Sequence, residues 1–305
     1  MKATKTVNPE FLDNRDRFSD PFFKRFTLHK RSTPLQLTDD ISKDYNFPTF
    51  YGNVTCSQAI FLCNYEKARE LMPHPKMKPI NMLGGRSLVA AASYIYRDVI
   101  NVAPYNEIAL TIPVMVDASV NVPILPMLID KFKAFGFYVF NMPVTSLENQ
   151  IRGRKIWGLP KVVHDIDITV RNGNCETTAT DENGNDYLVI RTPTAGKPTE
   201  FDVAANLYSR LHDQLLQSPT HFKATFNITK NMGLLLNSKN LKPDNGAPAI
   251  ELGKGVYADQ LRELELVSTP LQTRYAAKMN ACFDLNNPDY RAPFNFANIE
   301  GEEYA

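Results

Sequence analysis

Asp165-Ile166-Asp167-Ile168-Thr169-Val170-Arg171-Asn172-Gly173-Asn174-Cys175-Glu176-Thr177-Thr178-Ala179-Thr180-Asp181-Glu182-Asn183-Gly184-Asn185-Asp186-Tyr187-Leu188-Val189-Ile190-Arg191 is the stretch on which the fold class turns. Asp165 to Arg171, Cys175 to Asp181 and Tyr187 to Arg191 are strand-like, and Asn172-Gly173 and Asn183-Gly184 separate them. Asn and Gly both tolerate the positive φ of a type I′ turn, so Asn-Gly between such segments is a strong hairpin signal. The reading is a three-stranded antiparallel meander.

Upstream, further segments are β-like: Phe50 to Cys63, Ser87 to Tyr96, Glu107 to Val116 and Phe137 to Val144. Asn64 is placed to cap a short helix over Tyr65 to Met72 that stops at Pro73. Leu128 to Phe135 has an amphipathic helical pattern ending at Gly136. Downstream, Val203, Leu207, Leu211 and Leu215 recur every four residues. That spacing suits a helix over Val203 to Leu216, although strands fit the same region. Tyr257 to Leu266 is a short helix, and the last forty residues are a strand and an irregular tail. Residues 1 to 45 form a polar arm whose Phe18, Phe22, Phe23 and Phe26 call for packing on a neighbouring surface, another subunit's included. The balance is α+β, mainly antiparallel β with peripheral helices.

Composition narrows the function. With 34 basic and 33 acidic residues the net charge is +1, and no basic face is implied for nucleic acid. The most apolar stretch, Ile108 to Val116, is too short for a membrane helix, which needs about 20 residues, and no signal-like h-region opens the chain. Cys56, Cys63, Cys175 and Cys282 form no CxxC pair, so reduced buried thiols in a cytoplasmic setting are expected. His29, His74, His164, His212 and His221 have no metal-ligand spacing and read as surface or capping residues. P-loop, GxGxxG, HExxH and GxSxG motifs are missing, and neither a metal nor another cofactor is expected.

One segment carries chemistry: Gly153-Arg154-Lys155-Ile156-Trp157-Gly158-Leu159-Pro160-Lys161. Gly158 and Pro160 mark a bend, and Trp157 (the chain's single tryptophan) and Leu159 bring apolar bulk to it. A lysine directly after the bend can point inward. Burial disfavours the ammonium, and each pKa unit of depression costs about 1.4 kcal/mol. Residue physics leaves two readings open, a buried nucleophilic amine and an exposed lysine at a strand start.

This segment resembles the signature of the acetoacetate decarboxylase-like family, in which a Gly-Arg pair leads through an aromatic-rich bend to Pro-Lys. Tyr105-Asn106-Glu107 resembles the family's Tyr-x-Glu element, and Ala258 to Leu264 resembles the late helix of its longer members. The resemblance spans roughly residues 46 to 285, leaving residues 286 to 305 as a tail. It implies a closed, cone-like β-barrel, a homo-oligomer, and a lyase that forms a Schiff base with a small carbonyl or keto-acid compound. Lys161 then corresponds to the nucleophile and Glu107 to the active-site carboxylate, with Tyr105, Arg154, Trp157 and Leu159 near the substrate. Acetoacetate decarboxylase itself is a standing example of a lysine activated by desolvation or a neighbouring cation. The chain departs from the family at two places: Val162 replaces a second lysine, and Asn53 to Cys63 lacks the arginine expected near a substrate carboxylate. Arg97 and Arg154 are the candidates to replace it. These departures imply weak acetoacetate decarboxylation and an amine depressed mainly by burial. The alternative function is a non-catalytic barrel that binds a small apolar ligand.

Overall fold

The computed structural model describes residues 1–117, 135–212, 214–235 and 247–287. Apart from six short strands of two or three residues before Tyr105, its strands are, in chain order, β1 Thr49–Asn64, β2 Arg86–Tyr96, β3 Tyr105–Val116, β4 Phe135–Val144, β5 Lys161–Val163, β6 Asp165–Arg171, β7 Asn174–Thr180, β8 Asp186–Pro193, β9 Lys197–Leu211, β10 Gln214–Lys230, β11 Ile250–Leu252 and β12 Gln272–Phe283. The helices are α1 Tyr65–Glu70, α2 Leu147–Trp157 and α3 Val256–Glu263.

Seven strands close into a barrel in the order β4-β9-β10-β12-β1-β2-β3 and back to β4. All neighbours are antiparallel except β4 and β9, which run parallel with Phe137 opposite Leu207. The barrel is therefore mixed. The remaining length of β4 takes β5 as a second parallel partner, Met142 opposite Lys161.

Alternation along the strands defines the lumen. Glu107, Ala109 and Thr111 of β3 face inward, as do Ala92, Tyr94 and Tyr96 of β2. Ile108, Leu110, Ile112 and Val114 face outward into a second core. Every residue of β3 is buried, because β6 to β8 and β11 form a separate four-stranded sheet over its outer face. That double burial explains why Ile108 to Val116 reads as a continuous apolar run. A bulge between Val139 and Asn141 shifts the alternation of β4, so Val139 and then Met142 both reach the lumen.

The predicted meander is present, with Asn172 and Gly173 both at positive φ between β6 and β7. Asn64 caps α1, accepting from the amides of Glu66 and Lys67 at 2.9 and 3.3 Å. Phe18, Phe22 and Phe23 of the arm are buried against Phe50, Ile100 and Cys282 of the same chain. The helix read over Val203 to Leu216 is instead the β9–β10 hairpin, with Leu211 opposite Gln214. A four-residue repeat is also a multiple of two, so it places the same side chains on one face of a strand, and pairing across the hairpin decided the matter. The helix read over Leu128 to Phe135 lies outside the described residues save Phe135, which opens β4.

All four cysteines are buried and unpaired. His164 departs from the surface role expected of it. It is 3% exposed, with Nδ1 3.0 Å from the Tyr187 hydroxyl and Nε2 3.1 Å from Glu182. Burial pushes its pKa below the ordinary histidine value. Among the described residues no helix is long and apolar enough to cross a membrane.

Candidate active site

The run from Gly153 to Trp157 lies in a helix, α2, for which the sequence analysis gives no signal, and the bend at Gly158 and Pro160 follows it. Ser146 caps α2 by accepting from the Asn149 amide, and Gly158, at φ 60°, ends it. Glu148, Asn149, Arg152, Gly153, Ile156 and Trp157 are its buried residues, Glu148 pairing with Lys43. Their spacing is helical, but Asn149, Arg152 and Gly153 are not apolar, so the usual hydrophobic signal is weak. Past Gly158 and Pro160 the chain enters β5 at Lys161. The Lys161 carbonyl accepts from Arg154 Nε at 2.7 Å and Gln150 Nε2 at 3.2 Å, which ties the strand to the helix above it.

The Lys161 side chain runs beneath Gly153. A Cβ added at Gly153 would lie 2.4 Å from Lys161 Cδ, so the glycine leaves room for the lysine stem. The side chain ends in a cavity of about 170 Å³ within the lumen, where Nζ donates to Glu107 Oε2 at 2.6 Å. Glu107 reaches this point because β3 pairs with β4 at Glu107 and Val144, one pleat from Met142 opposite Lys161. Lys161 and Glu107 are each 5% exposed. The other carboxylate oxygen, Oε1, accepts from the Tyr96 hydroxyl at 3.3 Å.

Electrostatics favour an unprotonated amine more than the ion pair alone would suggest. Burial lowers the Lys161 pKa from the ordinary lysine value, Glu107 opposes that shift, and Arg152 adds to it. Breaking a buried ion pair is costly, yet apolar residues of similar volume often serve stability as well. Tyr94, Tyr96 and Tyr105 are raised well above the ordinary tyrosine value by burial, so their hydroxyls stay protonated and can donate.

Lys161, Glu107, Trp157 and Leu159 thus converge on one cavity. Tyr105 stands behind them, its ring centroid 5.7 Å from Lys161 Nζ. Arg154 does not line the cavity, being turned to the Lys161 backbone. Arg97 donates to the Asn53 carbonyl and Thr55 Oγ1 and does not line it either. The cations that do are Arg152 of α2 and Arg274 of β12, neither of which the sequence reading singled out. Helical spacing from Asn149 and Ile156 is the signal that would have turned Arg152 inward. For Arg274 the signal is strand alternation with Gln272, which faces the same way along β12. Tyr96 was also missed, although it alternates with Tyr94 along β2. Among the described residues no cluster of His, Cys, Asp or Glu is arranged to hold a metal ion.

The acetoacetate decarboxylase (ADC) family profile matches residues 32–205. Among solved structures, acetoacetate decarboxylase from Legionella pneumophila superposes with a TM-score of 0.54 at 12% identity, covering 92% of this chain and 94% of that one. A second acetoacetate decarboxylase structure gives 0.55 at 12% identity, with coverage of 82% and 91%. The enduracididine biosynthesis enzyme MppR, solved with pyruvate, gives 0.53 at 10% identity, with coverage of 84% and 96%. At these identities the superpositions show a shared fold and nothing more. No curated protein matches the sequence. The profile match spans the first four barrel strands, α2 and both members of the Lys161–Glu107 pair, and on that match the chain belongs to the acetoacetate decarboxylase family.

Proposed function

We propose that this protein is a lyase that forms an imine between Lys161 and a small carbonyl compound. The observation that carries the reading is the Lys161 amine, buried on a cavity wall, depressed in pKa and 2.6 Å from Glu107. The free amine attacks the carbonyl carbon. The new C–N bond replaces the C–O bond, and the oxygen leaves as water once it has gained two protons. The protonated imine then accepts the electron pair of a breaking bond at the adjacent carbon, whether to carboxylate, to an aldol fragment or to hydrogen on the way to dehydration. In decarboxylation, carbon dioxide departs, the enamine takes up a proton at carbon, and water returns the ketone and the amine. Glu107 is positioned to carry the protons, and Tyr96 holds its second oxygen. Trp157 and Leu159 keep the wall apolar and the amine desolvated. The homo-oligomer expected from the resemblance belongs to this same reading.

Borohydride reduction in the presence of pyruvate or acetoacetate tests the reading, with the adduct mapped by mass spectrometry. Label is expected on Lys161 and is expected to vanish in Lys161→Ala. Label spread over surface lysines and unchanged by that substitution would overturn it and favour the binding-only barrel.

A further inference from the structure

The charged residues lining the cavity do not balance. Among the described residues they are Glu107, Lys161, Arg152 and Arg274, one carboxylate against two guanidiniums and the Lys161 amine. Glu107 is engaged by Lys161. The two guanidiniums have no carboxylate partner among the described residues.

Arg152 is 1% exposed. It donates only to neutral oxygens, Asn149 Oδ1 at 3.0 Å and Thr49 Oγ1 at 3.2 Å, and its buried Nε has no hydrogen-bond partner. Its guanidinium lies 4.3 Å from the Tyr45 ring centroid. Arg274 spends Nε and Nη2 on the Gln272 side-chain oxygen, at 3.1 and 2.9 Å, and sits 5.2 Å from the Phe201 ring centroid. A guanidinium stays charged in proteins, and a buried charge without a counterion is costly. Arg152 is such a charge, and the half-buried Arg274 is a second guanidinium without a carboxylate on the same cavity; an anionic ligand completes this arrangement, and the planar fork suits carboxylate best.

The two are set at different depths. Arg152 bonds Thr49, the first residue of β1, whereas Arg274 pairs in register with Gln58, further along the same strand. Arg152 is also close enough to Lys161 to depress its amine. We infer that the ligand of this cavity is an elongated keto acid with two carboxylates, one held by Arg152 beside Lys161 and the other held by Arg274 at the far end. This deepens the imine reading, and only the placing of the ketone at Lys161 rests on it. The two-cation site is a matter of binding and holds whichever bond then breaks. It also explains how a chain with Val162, and with no arginine between Asn53 and Cys63, still meets an acidic substrate: the cations come from α2 and β12.

Unreactive diacids separate the two claims. Binding of the α,ω-dicarboxylates from succinate to suberate is measured by calorimetry against monocarboxylates of equal chain length. At least one diacid is expected to bind on the order of 10- to 100-fold more tightly than its monoacid, the range for one charge-assisted hydrogen-bonded contact. Arg274→Gln and Arg152→Gln should each erase that preference, and Arg274→Lys should retain part of it, with circular dichroism checking the fold. Lys161→Ala should keep it, so a failed imine would show as missing borohydride adduct beside intact diacid binding. If no diacid exceeds its monoacid by more than about threefold, or if the preference survives Arg274→Gln, the inference is wrong.

Discussion

Gly153→Ala isolates the slot in which Lys161 lies. The added Cβ would sit 2.4 Å from Lys161 Cδ, 2.7 Å from Cε and 3.0 Å from Cγ. Non-bonded carbons rest about 3.5 to 4.0 Å apart, so the lysine stem must yield by about 1 Å. Stability changes little, because two effects oppose each other. Alanine gains about 1 kcal/mol of helix propensity over glycine, and overpacking costs about 1 to 3 kcal/mol. The net loss is therefore about 0 to 2 kcal/mol, and at roughly 2 to 4 °C per kcal/mol the melting temperature falls by no more than about 8 °C. Chemistry should suffer more, since a 1 Å misplacement of a reacting group costs on the order of 100-fold. The assay is the rate of borohydride-trapped adduct at Lys161 with pyruvate, followed by mass spectrometry beside a thermal melt. Gly233→Ala is the control, because nothing lies within 4 Å of a Cβ there. Trapping at the parental rate in Gly153→Ala would refute the claim that this glycine sets the position of the amine.

Glu107→Gln should leave imine formation intact while turnover of any active substrate falls by about 100- to 10,000-fold. Because Glu107 raises the Lys161 pKa against burial and Arg152, its removal should also shift the pH profile of trapping to lower pH, and an unmoved or upward-shifted profile would contradict the assignment. Acetoacetate offers one carboxylate to a site with two arginines, so carbon dioxide release from it should stay below the ordinary enzymatic range of about 1 to 1,000 per second; turnover within that range would show the expectation wrong. Gly158→Ala combines a left-handed φ of 60° with a Cβ placed against the Arg210 carbonyl. The left-handed cost of about 1 to 2 kcal/mol and an overpacking cost of about 1 to 3 kcal/mol together predict about 2 to 5 kcal/mol of destabilisation in urea unfolding, and a loss under about 0.5 kcal/mol would rule out that reading of the cap.

Local signals in the sequence were sufficient wherever the responsible physics is local. The Asn-Gly pairs marked the β6–β7–β8 meander, Asn64 marked the start of α1, and β-like runs marked β1 to β4. The family resemblance, carried by Pro160-Lys161 and Tyr105-Asn106-Glu107, singled out two residues 54 positions apart in the chain that the fold brings to 2.6 Å. Other features depended on contacts distant in sequence. Whether Val203 to Leu216 became a helix or a hairpin was settled by pairing with partners, because a repeat of four fits both periods. Helix α2 hid its inward face because that face carries Asn149, Arg152 and Gly153, which serve the cavity and not an apolar core. Spacing along α2 and β12 can turn Arg152 and Arg274 inward, but it does not set them apart among 34 basic residues as guanidiniums without a carboxylate, because the partners of a charge are distant in sequence. Closure of the barrel through one parallel pair, β4 with β9, brings α2 over the lumen and these cations to the same cavity as Lys161. That closure joins strands far apart in the chain, so tertiary structure alone decides it.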